Sequence, residues 1–289
     1  MPHTRPELLV DTASLEAALA DPALRVFDCT VQLVPDPPGR YRVVSGREGY
    51  SSVHVPGAGF LDLVGELSDP DSRLPFTFPS AGRFADAMSR HGVGPGVRVV
   101  LYSRGSPMWA ARVWWMLRAF GFDDAVLLDG GIEKWNKEGR RVSSAACAYP
   151  AARFEPRPRP ELIASRAAVL AAIGDRAACI IDALPEQSFR GEGPSAYGRA
   201  GHIASSVNAP FTRLVRAEDQ TLKTAEELRS LFTGIGLQGD QRAITYCGGG
   251  IAASLAAFAL VLVGHPEVAL YDGSLSEWAP DPSLPMETG

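Results

Sequence analysis

Cysteine is scarce in this chain: four residues in 289, at positions 29, 147, 179 and 247, with no Cys-x-x-Cys pair among them. That excludes a disulfide-framed fold, a multi-cysteine zinc site and a dithiol redox motif, so each thiol has to be judged singly. Long apolar runs are missing too. Nothing approaches the ~20 apolar residues of a membrane span, and the N-terminal MPHTRPELLVDTASLEAALA has no apolar stretch behind a basic start. Positive charge is not in excess either: 28 basic against 33 acidic side chains leave a net charge of -5. Such a chain has no general attraction to nucleic acid or anionic lipid, and any anionic ligand must be held by local geometry. These absences lead to the expectation of a soluble, cytoplasmic protein with neither a nucleic-acid nor a membrane partner. What is plentiful is hydrophobic side chain, 46% of the residues, enough for two domains that each bury a core.

The chain reads as a duplication. RVFDCT at 25–30 answers to CIIDAL at 179–184, each a short apolar run reaching an aspartate, Asp28 or Asp182. GYSSVHVPGAGFLDL resembles GRAGHIASSVNAPFTRL and pairs His54 with His202. RFADAMSRHGVGPGVRVVLYS matches AEELRSLFTGIGLQGDQRAITYC, so that Ser103 falls opposite Cys247, and LLDGGIEKW matches LYDGSLSEW, pairing Trp135 with Trp278. The spacings agree: 32 residues from Ser103 to Trp135, 31 from Cys247 to Trp278. A repeat this long means two similar domains, not a solenoid.

Within each half, runs of four to seven apolar residues alternate with amphipathic helical patterns, the pattern of an α/β domain with a mostly parallel sheet flanked by helices. The proline-rich SSAACAYPAARFEPRPRP has no sustained periodicity and reads as an extended surface connector. The expected division is residues 1–145, a connector over 146–160, and residues 161–289.

The chemistry concentrates in AITYCGGGIAASLAAFALVLV. AITY reads as a strand, LAAFALVLV as a helix, and the residues between them as a turn at the C-terminal edge of the sheet, where ligands of open α/β folds sit. Glycines let such a turn curl so that successive N–H groups point inward, and the helix adds its positive end. A cysteine at the start of that turn is expected to be favoured as thiolate. The dipole supplies about 0.3–1 kcal/mol and each N–H bond to a charged group roughly 1.5–3, against about 1.4 kcal/mol per pKa unit. Cys247 is thus the candidate nucleophile, and Gly248, Gly249, Gly250, Ile251, Ala252 and Ala253 the candidate anion cradle. The equivalent loop of the first half, SRGSPMWAA, keeps strand and helix but carries Ser103, Met108 and Trp109, so one copy reads as specialised and the other as structural.

These motifs resemble the tandem-domain sulfurtransferases, rhodanese and mercaptopyruvate sulfurtransferase. ARVWWMLRAFGFDDAVLLDGGIEKWNKEGR is similar to the family's N-terminal domain, HVPGAGFLDL and GHIASSVNAPF to its domain-opening motif, and YDGSLSEW to its closing one. The resemblance implies two rhodanese-like α/β domains, the first non-catalytic and the second catalytic. It also implies sulfur transfer through a Cys247 persulfide, with no metal or organic cofactor. The partners implied are a small sulfur donor, thiosulfate or 3-mercaptopyruvate, and as acceptor cyanide or a thiol, including a thioredoxin-like or other protein thiol.

Some family features are altered. Thiosulfate-preferring members carry basic side chains directly after the cysteine, where this chain has Gly248 and Gly249. Mercaptopyruvate enzymes resemble the loop more but have a serine where Gly249 stands, and His54, the histidine associated with that serine, reads here as a hydrogen-bonded turn residue. The family's arginine before the aromatic of EQSFRGEGPSAYGRAGHI is replaced by Ser188, which leaves Arg190 and Arg199 as the candidate substrate-binding guanidiniums. A sulfur-carrying or regulatory module is one alternative function. A cysteine phosphatase is another, although the arginine it needs six residues after the cysteine is Ala253 here. Cys29 and Cys179 read as packing residues, Asp28 and Asp182 as turn caps, and Trp135 and Trp278 as core anchors.

Overall fold

The computed structural model describes residues 3–36 and 40–289; Met1 and Pro2, which open the expected first domain, and Pro37, Pro38 and Gly39 lie outside the described residues. Each half builds a five-stranded sheet whose neighbouring strands are all parallel. In the first the spatial order is Leu9–Val10, Ala125–Leu128, Arg98–Tyr102, Leu24–Asp28 and Gly59–Phe60; in the second it is Ile163–Ala164, Val268–Tyr271, Arg242–Tyr246, Ala178–Asp182 and Val207–Asn208. The two orders correspond strand for strand, so the repeat in the sequence is a repeat in space. The central strands are continuous apolar runs because helices cover both their faces. Their register sets Asp28 opposite Tyr102 and Asp182 opposite Tyr246. Each tyrosine hydroxyl then accepts an amide from the domain-opening motif, from Val55 at 3.2 Å or Ile203 at 3.0 Å. The first half also carries an antiparallel hairpin, Val31–Asp36 against Arg40–Ser45.

Two separate cores were expected, and the structure joins them. The helix Met108–Ala119 of the first half packs on the helix Ile251–Leu262 of the second, and Trp114 meets Phe258 edge to face with ring centroids 4.8 Å apart. All twelve residues of the second helix are buried, so it lies at the middle of one continuous core. This is also why LAAFALVLV shows so little polar face. The outer faces of the sheets keep their own clusters, one around Trp278 and one around Trp135, both fully buried.

The connector is extended, as its prolines require, but it is strapped down. Ala152, Arg157 and Arg159 donate main-chain bonds to Ser89, Phe120 and Ala119, and Phe154 is buried against Phe84. The Tyr149 hydroxyl donates to Gly57 O at 2.7 Å and accepts from Val26 N at 2.8 Å.

The repeat-equivalent aspartates that follow the last long strand of each sheet both reach across to the other half. Asp272 Oδ2 accepts from Phe78 N at 2.9 Å, and Asp129 Oδ1 from Leu222 N at 2.8 Å. They differ in their counter-charge. Asp272 has Arg112, 2.5 Å away, whereas burial, with Asp219 adding to it, lifts the Asp129 carboxyl from 3.8 to about 6. A carboxyl raised in the folded state adds stability that is fully present below pH 3.8 and is lost as the pH rises through about 6, at most about 3 kcal/mol. Asp129→Asn keeps the acceptor and removes the titration. Urea midpoints of variant and wild type are therefore expected to diverge between pH 4.5 and 7.5, the variant gaining at the higher pH. Parallel curves would refute the assignment.

Candidate active site

The strand Arg242–Tyr246 delivers Cys247 to the edge of the second sheet, and the helix starting at Ile251 begins three glycines later. The carbonyls of this turn are drawn outward. Cys247 O accepts from Leu275 N at 3.0 Å, and Gly248 O from Ser276 N at 2.9 Å and Ser276 Oγ at 2.8 Å. With these carbonyls committed, the amides of Ala253 and Gly249 favour the charged form of the Cys247 sulfur, and Gly250, whose N–H is given to Ser274 Oγ, does so least. Gly250 caps the helix at φ 80°, a left-handed conformation that glycine adopts without strain; a Cβ there would also stand 2.9 Å from Arg112 Nη1.

Ser274 is the hub beneath the turn. Its buried hydroxyl accepts from the amides of Cys247 and Gly250, both at 3.1 Å, and donates to Tyr271 O at 2.9 Å, so its one donor and two acceptor sites are all used. Arg112 supports the turn from the first half: its fully buried guanidinium binds Asp272 and Phe76 O and lies 4.2 Å over the Phe78 ring. Neither role shows in the sequence by itself. The signal available was the pairing of Ser274 with Gly131 in the repeat, a hydroxyl present only in the half that holds the cysteine.

The expectation of a resting thiolate is corrected. Burial pushes the Cys247 thiol up, since its residue is only 2% exposed; the loop amides oppose this and the nearby Asp182 carboxyl reinforces it. The loop amides do not replace the hydration of a buried thiolate, so the site favours the thiol. Asp182 is itself lifted by burial to about 7. Its Oδ1 caps the turn by accepting from Leu184 N at 2.8 Å, and Asp28 does the same for Thr30 N at 2.9 Å.

Above the sulfur opens a cleft of about 500 Å³ between the two halves. Cys247, Gly248, Gly249, Ile251, Ala252 and Ser276 form its floor; Pro75, Phe76, Met108 and Trp109 come from the first half, and Leu184, Ala196, Tyr197 and Phe211 from the second. Leu33, Tyr41 and Val43 of the hairpin form its lip. Among the described residues no charged side chain lines it. A Cβ on Gly248 would lie 2.1 Å from both Cζ and Oη of Tyr197, so this ring fills the room that a side chain after the cysteine would take. Burial lifts the Tyr197 phenol to about 12, with Cys247 and Asp182 adding to it, which leaves it neutral and able to donate.

The two candidate arginines stand elsewhere. Arg199 donates from Nε to Ala279 O at 2.9 Å and from Nη2 to Asp281 O at 2.6 Å, which ties its loop to the C-terminal segment. Arg190 is exposed and pairs with Glu186 at 2.6 Å. Neither lines the cleft. Arg199→Ala is expected to lower the melting temperature while changing KM for a sulfur donor by less than about twofold; a large KM change without destabilisation would restore it as an anchor. His54 is fully buried, its ring nitrogens 2.7 Å from Tyr50 O and 3.1 Å from Ala145 O, away from the cleft. Cys29 and Cys179 are buried, and burial raises both thiols.

In the first half the corresponding turn is occupied by the protein's own groups. Gly105 N donates to Glu133 Oε1 at 2.9 Å, and Ser103 Oγ donates to Ser106 O at 2.7 Å. Glu133 is the repeat partner of Ser276, so a carboxylate already sits over this turn.

A family model described as "Rhodanese-like domain" matches residues 11–138 and again residues 165–281. The chain belongs to the rhodanese-like family. It is 36% identical over 269 residues to the 3-mercaptopyruvate sulfurtransferase of Escherichia coli (strain K12), covering 92% of this chain and 93% of that one. It is 34% identical to the thiosulfate sulfurtransferase of Rattus norvegicus, covering 92% and 88% respectively, and 33% identical to the sulfur carrier protein TtuD of Thermus thermophilus, covering 100% and 99%. The crystal structure of SseA from Escherichia coli, described as a 3-mercaptopyruvate sulfotransferase, superposes with a TM-score of 0.81 at 34% identity, over 92% of this chain and 98% of that one. Both rhodanese-like domains are thus α/β units with parallel sheets, and the cysteine-bearing turn lies in the second match.

Proposed function

We propose that this rhodanese-like protein is a sulfurtransferase that carries a sulfane sulfur on Cys247 and passes it to cyanide or a thiol, a protein thiol included. The observation that carries this reading is a cysteine on the floor of an open cleft, at the glycine turn before a buried helix, with loop amides favouring its charged form. The Cys247 thiol loses its proton, and the thiolate attacks the outer sulfur of a donor. Thiosulfate then leaves as sulfite, and 3-mercaptopyruvate as the enolate of pyruvate; these are the donors that the names of the relatives carry. The new Sγ–S bond leaves a persulfide anion, and the acceptor attacks its terminal sulfur and returns the cysteine thiolate. Splitting one transfer into two displacements is covalent catalysis, and the amides and helix terminus stabilise negative charge at each stage. Neither Arg190 nor Arg199 is asked to hold the donor in this scheme. The phosphatase alternative lacks its guanidinium, since Ala253 stands at that position.

The test is incubation with thiosulfate and with 3-mercaptopyruvate separately, followed by intact mass and by thiocyanate formation on adding cyanide. A gain of one sulfur that is lost in Cys247→Ala supports the scheme. An unchanged mass with every donor refutes it, and hydrolysis of an aryl phosphate by the same sample would favour the rival class.

A further inference from the structure

We propose that Tyr197 and the hairpin lip select a sulfur partner bearing a flat, apolar organic group over a small, highly charged one. This rests on the Cys247 persulfide reading and names the substrate class for that site. The cleft walls are aromatic, with Phe76 tilted against Trp109 at 5.7 Å on one side and Tyr197 and Phe211 on the other. Its volume of about 500 Å³ is that of a pocket for an organic ligand and far more than an inorganic dianion fills. A dianion entering it would give up water and meet no cation among the described lining residues. The room beside the sulfur where a cationic side chain at 248 would project is occupied by the Tyr197 ring. At the mouth, Leu33 and Tyr41 are left 43% and 63% exposed, two of the five large exposed hydrophobics among the described residues, both on one hairpin. Apolar side chains held in water at the entrance of an apolar cleft mark a surface that a ligand covers.

An arenethiosulfonate represents the class and keeps the chemistry balanced. The Cys247 thiolate attacks the outer sulfur, the bond to the sulfonyl sulfur breaks, and its electron pair leaves with the arenesulfinate. One S–S bond forms as one breaks, and no external oxidant is needed.

The experiment compares benzenethiosulfonate with methanethiosulfonate, monoanions that differ in the aryl group. Each kcat/KM for thiocyanate formation is divided by the uncatalysed rate of the same donor with cyanide, and thiosulfate and 3-mercaptopyruvate are run alongside. Burying a phenyl group is expected to give the aryl donor a roughly 10- to 100-fold advantage. Tyr197→Ala and Tyr41→Ala, in a loop and at an exposed lip, are each expected to shrink that advantage severalfold. Equal normalised rates, faster turnover of thiosulfate, or an aryl advantage that survives both substitutions would overturn the proposal. A protein that accepts sulfur from none of the four donors would instead refute the persulfide reading on which it stands.

Discussion

Cys247→Ser is expected to abolish sulfur transfer, by roughly 10³-fold or to below detection, while leaving the thermal melt nearly unchanged. The hydroxyl occupies nearly the same volume, but an alcohol at the floor of this cleft neither ionises near neutral pH nor forms a persulfide. In the wild type the pH dependence has a definite sign. Because burial raises the Cys247 thiol, persulfide formation is expected to accelerate as the pH rises above neutrality, the thiolate being the reactive form. Asp182, lifted to about 7, ionises over the same range and works against it. In Asp182→Asn the profile should move to lower pH, with the Leu184 cap retained by the amide oxygen. Retained turnover in Cys247→Ser, or a rate that falls as pH rises from 6 to 9, would contradict this account of the site.

The second large effect is expected at Arg112, far from any reacting atom in sequence but directly under the turn. Its guanidinium is fully buried and bonded to Asp272, which also holds Phe78 N of the opposite half. A buried pair of this kind contributes little over an apolar replacement of the same shape, but removing one member strands the other, at about 3–5 kcal/mol. Arg112→Ala should therefore lower the melting temperature on the order of 10 °C and slow persulfide formation as well, because Asp272 adjoins both Gly250 and the Ser274 hub. Replacing Arg112 and Asp272 together with apolar residues should recover much of the stability but not the rate. A single-variant melt within about 2 °C of wild type would show that the pair does not hold the halves together.

Much of this was legible in the sequence, for identifiable reasons. The duplication showed in paired aspartates, histidines and tryptophans, and the structure gives both halves one strand order with Trp135 and Trp278 fully buried. The turn at Cys247 was legible because three glycines end the strand and permit the tight, left-handed entry into the helix that residues with a Cβ resist. What depends on packing was hidden. The joined core was not visible because a helix buried on every side and a helix buried on one side can share an apolar run such as LAAFALVLV; only packing on Met108–Ala119 decides between them. The raised Cys247 thiol was not legible because a sequence indicates the donors around a sulfur but not how completely water is excluded from it. The family pattern points to Arg190 and Arg199 as guanidiniums near the aromatic of the motif, but a sequence does not show that the carbonyls of Ala279 and Asp281 and the carboxylate of Glu186 lie within their reach.

The Glu133 side chain over the turn of the first half has a corollary for that turn. A cysteine introduced at position 103 would meet a turn whose Gly105 amide is already given to the Glu133 side chain, so freeing that amide for a sulfur would also require replacing Glu133. The first half is thereby suited to furnish the wall and lip of the neighbouring cleft, where Phe76, Met108, Trp109, Leu33 and Tyr41 already stand.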